Sequence, residues 1–143
     1  MEVLVHYFLS MQPYRWHKEI LGQLEDKFPF LKESDVCAGT LSVGQRQMLD
    51  FSMTVISEPD LILLDEPCAG LSKSETETMI TAISDLAKST QGTFIIVEHD
   101  MHVVERLSDN VLVIHQGKLL AQGILDDIRA NPEVQQVYVG GSK

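Results

Sequence analysis

Apolar positions recur at helical spacing between Pro13 and Lys27, through Trp16, Ile20, Leu21 and Leu24. Phe28-Pro29 closes that pattern, because the residue before a proline resists helical torsions. After a polar stretch, Lys32–Thr40, the residues Met48, Leu49, Phe51, Val55 and Ile56 predict a second helix, opened by Ser42 and Gly44 and ended before Glu58-Pro59. The unbroken apolar run Leu61–Leu64 stops at Asp65-Glu66-Pro67, which predicts a strand buried on both faces with a functional edge at its end. A third helix is expected over Ser74–Lys88, with Met79, Ile80, Ile83, Leu86 and Ala87 on its apolar side. Gly92 then breaks the chain before a second buried strand, Thr93–Val97, which ends at Glu98-His99-Asp100. Beyond it the pattern predicts a short helix over Met101–Leu107, a hairpin of Val111–His115 and Lys118–Ala121 turning at Gln116-Gly117, and a last short helix over Ile124–Ala130. From its own residues, the tail through Gly140 reads as a polar helix and a short strand. Strands alternating with helices place the chain in the α/β class.

Met1–Leu9 is also apolar, but Glu2 stands where a secretory signal carries positive charge, so the segment is read as a strand. No apolar run approaches the roughly 20 residues that a bilayer-spanning helix needs, so direct membrane insertion is not expected. The net charge of −10, from 21 acidic and 11 basic side chains, opposes attachment to a phosphate backbone or an anionic lipid surface. Nucleic acid is therefore excluded as an expected partner. Cys37 and Cys68 have neither CxxC spacing nor a nearby histidine pair, and read as free thiols. At 143 residues with 44% hydrophobic composition, the chain is long enough for one domain with a real core.

Three segments carry candidate chemistry. In Leu41–Gln45 the small Gly44 permits close approach of backbone to an anion, and the helix behind it points N–H groups and a positive dipole end the same way; the plainer reading is a helix cap by Ser42. Asp65 and Glu66 leave the end of an apolar strand together, either as a carboxylate pair or as an ordinary turn. His99 ends the next apolar strand, where a neutral imidazole could contact a phosphate or serve a structural role.

In this order and at these intervals, Leu41–Gln45, Leu61–Pro67 and Glu98-His99-Asp100 resemble the ATP-binding subunits of ABC transporters, from about Glu33 to Gly141. The resemblance implies that Ser42, Val43, Gly44 and Gln45 form the signature that contacts the γ-phosphate of ATP held by an opposite subunit. Val43 stands where the family most often has glycine. Leu61–Glu66 matches the Walker B pattern, which implies that Asp65 holds Mg²⁺ through water and that Glu66 polarises the attacking water. His99 resembles the switch histidine, and Ala69-Gly70-Leu71-Ser72 occupies the place of the D-loop, with serine where many members have aspartate. Glu98-His99-Asp100-Met101, Ala121-Gln122-Gly123, Ile128–Val134 and Val137–Gly140 look like the branch that imports branched-chain amino acids and urea.

The implied architecture is a partial P-loop NTPase fold, a mostly parallel sheet with flanking helices. Residues 1–32 form a divergent N-terminal strand and helix, and residues 33–143 the C-terminal half of an ABC ATPase domain. The sequence contains no G-x-x-x-x-G-K-[ST] phosphate loop; Gly117-Lys118 is a hairpin turn. In the family the strand feeding that loop lies between the strands matching Thr93–Val97 and Val111–His115, so a central strand is expected to be missing. Val3–Leu9, rich in β-formers, is the expected substitute, from the same chain or by exchange in a homodimer. The resemblance implies ATP and Mg²⁺ as ligands, and a second copy, a complete ABC ATPase subunit or a transmembrane permease as partners. It also implies a cytoplasmic location at the inner face of the membrane. Without the phosphate loop the chain is expected to hydrolyse ATP weakly or not at all by itself. A non-catalytic pairing module, or a folded relic, are the alternatives.

Overall fold

The computed structural model describes residues 15–33, 37–90 and 92–140. Val3–Leu9, expected to act as a strand, and Pro13, where the first helix was expected to begin, lie outside the described residues. The chain divides into two compact units, Met1–Glu98 and His99–Lys143.

The first unit contains α1 (Arg15–Lys27), 3-10 turns at Pro29–Lys32 and Ala38–Thr40, α2 (Val43–Val55), β1 (Leu61–Asp65), α3 (Lys73–Ser89) and β2 (Thr93–Val97). Helix α1 touches both α2 and α3. The three helices bury Ile20 and Leu24, Met48, Phe51 and Val55, and Met79, Ile80, Ile83 and Leu86. Phe28, at the end of α1, meets Phe51 edge-on with ring centroids 6.4 Å apart, the arrangement that the ring quadrupole favours. Lys27 pairs with Asp85 at 2.7 Å across the α1–α3 contact.

Strands β1 and β2 form a parallel pair in the register Leu61↔Thr93 to Asp65↔Val97. The expectation that β1 and β2 are buried on both faces is corrected here. Ile62 and Leu64 are 4% and 8% exposed, but Leu61 and Leu63 are 50% and 66% exposed; in β2, Ile95 and Val97 are exposed as well. Matching register puts Leu61, Leu63, Ile95 and Val97 on one face. An apolar run in a parallel strand indicates that both faces are suited to burial; which of them is covered depends on neighbouring layers that the run itself does not encode.

The second unit contains α4 (Met101–Leu107), the antiparallel hairpin of β3 (Val111–His115) and β4 (Lys118–Gly123), α5 (Leu125–Ala130) and α6 (Pro132–Gly140). Gln116 and Gly117 both have positive φ, 49° and 74°, as a two-residue hairpin turn requires. The register slips between Val113 and Ile114, a local irregularity that leaves the rest of the ladder paired. Helix α5 lies against both strands, α6 lies against β4, and Ile128 and Val134 are buried. Helix α6 corrects the expected short strand in the tail. Asn131 Oδ1 accepts from the N–H of Glu133 at 2.9 Å and of Val134 at 3.4 Å, with Pro132 in the first turn, so Asn-Pro-Glu starts a helix.

Among the described residues β2 is paired only with β1, and β3 only with β4. No helix among them is long and apolar enough to cross a membrane.

Candidate nucleotide site

The Leu41–Gln45 segment begins α2 with a reciprocal cap. Ser42 Oγ accepts from the Gln45 N–H at 3.1 Å, and Gln45 Oε1 accepts from the Ser42 N–H at 2.9 Å. Leu41 and Gly44 are buried, whereas Ser42 and Val43 are exposed. Gly44 is closely covered by its own chain. A methyl group there would meet the Glu75 carboxyl carbon at 2.9 Å and Leu71 Cδ2 at 3.2 Å. Absence of a side chain at 44 therefore serves packing against the start of α3.

Asp65 and Glu66 emerge exposed at the end of β1. The Glu66 N–H donates to the Val97 carbonyl at 2.9 Å, which extends the β1–β2 pairing by one residue. Glu66 then turns with φ +46°, in the left-handed region that non-glycine residues adopt at a cost of about 1–2 kcal/mol. Two donors hold its carbonyl there: the Ala69 N–H at 3.0 Å and the Gln47 side-chain amide at 3.1 Å. Pro67 is buried, and the Cys68 N–H donates to Glu98 Oε1 at 3.2 Å, so the end of β2 grips the turn that follows β1.

Ala69-Gly70-Leu71-Ser72 connects this turn to α3, with Gly70 at φ +74°. A methyl group at Gly70 would lie 4.0 Å from Val43 Cγ1, so this segment runs beside the start of α2. Ser72 caps α3 in a second reciprocal box: the Ser72 N–H and Oγ donate to Glu75 Oε2 at 2.8 and 2.6 Å, and the Glu75 N–H donates to Ser72 Oγ at 3.4 Å. Those hydrogen bonds hold the Glu75 carboxyl below the ordinary glutamate range. A serine at 72 thus does what a helix cap requires, although it carries no charge.

His99 is exposed and opens the second unit; the next residue, Asp100, caps α4 by accepting from the His102 N–H at 2.8 Å. The first unit therefore brings together Ser42–Gln45, Asp65-Glu66 and Ala69–Ser72. Two residues in these contacts, Glu75 and Gln47, were not singled out from sequence, and Glu98 was named only as part of Glu98-His99-Asp100. Glu75 was legible, since Ser-x-x-Glu before an apolar run is a capping signal. The contacts of Gln47 and Glu98 were not, because their partners become neighbours only after α2 and β2 pack beside β1.

Two exposed carboxylates at a strand end are the donor chemistry that a hard cation shared with phosphate oxygens takes. Among the described residues there is no group of three or more His, Cys, Asp or Glu side chains that could hold a metal ion. Asp65 and Glu66 fit Mg²⁺ only as part of a site completed by phosphates.

The ABC transporter family profile matches residues 11–69. The chain is 40% identical over 103 residues to the high-affinity branched-chain amino acid transport ATP-binding protein BraF of Pseudomonas aeruginosa, covering 72% of this chain and 40% of that protein. It is 33% identical over 115 residues to the corresponding protein LivG of Salmonella typhimurium, covering 80% of this chain and 45% of LivG. Among solved structures, it matches the ADP conformation of an ATP-binding cassette of an ABC transporter with TM-score 0.71 and 24% identity, over 89% of this chain and 51% of that one. An ATP-binding subunit of an ABC transporter matches with TM-score 0.74 and 21% identity, over 98% and 60%. The chain thus spans less than half the length of these curated relatives. Profile, relatives and fold point the same way: the ABC transporter family profile matches residues 11–69, and the chain is similar to part of the ATP-binding proteins of branched-chain amino acid transport, in the fold of an ATP-binding cassette.

Proposed function

We propose that these residues form the signature- and Walker B-bearing side of an ATP-binding cassette in a branched-chain amino acid importer, acting at the cytoplasmic face of a membrane with a transmembrane permease. The observation that carries the reading is the Walker B turn: Asp65 and Glu66 leave β1 exposed, and Glu66 is held in the left-handed region by Val97 and by Gln47 of the signature helix. Strain of this kind is kept where a side chain must be aimed.

Asp65 is the residue that would hold Mg²⁺ through water. The ion, when bound, neutralises charge on the phosphate oxygens. The Glu66 carboxylate accepts a hydrogen bond from the attacking water and orients it. Ser42, Val43, Gly44 and Gln45 face the γ-phosphate of a nucleotide held mainly by the opposite subunit, and His99 senses that phosphate. Ala69–Ser72 lies along the subunit boundary. The sequence has no phosphate loop, whose backbone N–H groups and lysine supply much of the positioning and charge stabilisation for phosphoryl transfer. Alone, the chain therefore hydrolyses ATP weakly or not at all.

Calorimetric titration with Mg-ATP, alongside a phosphate-release assay, tests this. Little or no binding is expected from the chain alone, and turnover is expected on mixing with a polypeptide that carries a phosphate loop, lost again in Glu66→Gln. Glu66-dependent turnover by the chain alone would refute the expected weakness, and turnover indifferent to Glu66 in the mixture would refute the assigned role.

A second reading, a non-catalytic pairing module, is favoured by the exposed apolar face of Leu61, Leu63, Ile95 and Val97. A parallel pair is ordinarily covered on both faces. Its occupant is the part of an ABC ATP-binding domain that these residues do not contain, since the curated relatives are more than twice as long as the matched share. Light scattering with and without that part decides: a mixed complex lost in Leu63→Lys supports the face, whereas a self-dimer or no complex rejects this occupant.

A further inference from the structure

We infer that Glu75 is a positioning residue that fastens the D-loop to the signature turn within one chain. Its carboxylate has two faces in use. Oε2 accepts from the N–H and hydroxyl of Ser72, the last D-loop residue, at 2.8 and 2.6 Å. The other side of the carboxyl lies over Gly44, where an added methyl would collide with Oε1 and meet Cδ at 2.9 Å. Leu71 closes the same position from the D-loop side at 3.2 Å, and Gly70 lies beside Val43. The signature turn and the D-loop, separated in sequence by the rest of α2 and by β1, are thereby packed through one side chain that is hydrogen-bonded to Ser72 on one side and lies against Gly44 on the other.

A glutamate at the third helical position has a simpler use, the cap of its own helix. That use explains the bonds to Ser72. It does not require a glycine at 44 on another helix. The close cover of Gly44 does, because a glycine inside the first turn of a helix gives up about 0.5–1 kcal/mol relative to alanine, which is tolerable when a side chain leaves no room. The consequence rests on the proposed nucleotide reading: a displacement of Ala69–Ser72 at the subunit boundary is transmitted to Ser42–Gln45 without passing through bound nucleotide.

The test does not need nucleotide, so its failure is separate from failure of that reading. Amide hydrogen exchange is measured on the full chain and on Glu75→Ala, comparing the hydrogen-bonded amides of Gln45 and Arg46 with those of β1 and β2. Exchange at Gln45 and Arg46 is expected to rise on the order of tenfold beyond any change in the strands. A rise confined to the start of α3, or one spread equally over the strands, would overturn the inference. A second measurement reads the contact directly through the urea midpoint of Gly44→Ala. In the native background the substitution is expected to lower the midpoint; with Glu75→Ala it is expected to be neutral or to raise it, since the obstructing carboxylate is gone. The same effect in both backgrounds would overturn the inference.

Discussion

The side-chain amide of Gln47 donates to the main-chain carbonyl of Glu66 at 3.1 Å, so α2 holds the turn from which the Asp65 and Glu66 carboxylates project. The same carbonyl accepts from the Ala69 N–H, which makes Glu66 the hinge between β1 and the Ala69–Ser72 segment. Gln47→Ala removes one of two donors to an exposed carbonyl. The expected loss is about 0.5–1 kcal/mol, read as a lower urea midpoint at unchanged slope. An unchanged midpoint would mean that water replaces the amide without cost.

Glu66 itself lies at φ +46°. Glycine adopts that conformation without steric penalty, so Glu66→Gly is expected to leave stability equal or raise it by up to about 1 kcal/mol, while removing the carboxylate proposed to orient water. A thermal melt checks the first part. A clear destabilisation would show that the Glu66 side chain contributes more to the fold than its backbone conformation costs.

Acid should loosen the chain through two carboxyls. Ser72 holds the Glu75 carboxyl below the ordinary glutamate range, and hydrogen bonding with the Arg129 guanidinium does the same for Glu105. A depressed value in the folded state means that the stabilisation is complete above the unfolded value, about 4.3, and is lost as pH falls through the lower folded value. Urea midpoints measured from pH 6 to pH 3 should therefore decline, and the decline should be shallower in Glu75→Gln and in Glu105→Gln. Glu105 and Arg129 are both solvent-exposed, so salt should weaken their contribution in particular.

Asn131 carries the start of α6. Asn131→Ala is expected to cost about 1 kcal/mol, seen as faster amide exchange at the start of α6 and around buried Val134. The exchange of β1 should not change; if it does, the cap supports more than its own helix.

Much of the fold was legible because local signals agreed with it. Helices α1, α2 and α3 follow the spacing of Leu24, Phe51 and Ile83, and Gln116-Gly117 marked the hairpin turn. Helix α6 was misread although its Asn-Pro-Glu start was present, because the run of apolar residues after it also suits a strand. The candidate segments were nameable for a different reason. Leu41–Gln45, Leu61–Glu66 and Ala69–Ser72 are contiguous short segments, so their order and spacing are visible in one dimension.

The chain's sequence by itself determined where most of the described helices and strands lie, which carboxylates end a strand, and which family the pattern resembles, since these depend on periodicity, caps and short motifs. Tertiary structure alone decided that one face of β1 and β2 is open, that Gly44 is covered by Glu75, and that Glu66 is clasped between Val97 and Gln47. Each of those is a meeting of residues distant along the chain. The packing of whole elements determines such meetings, and no local pattern in the chain specifies them.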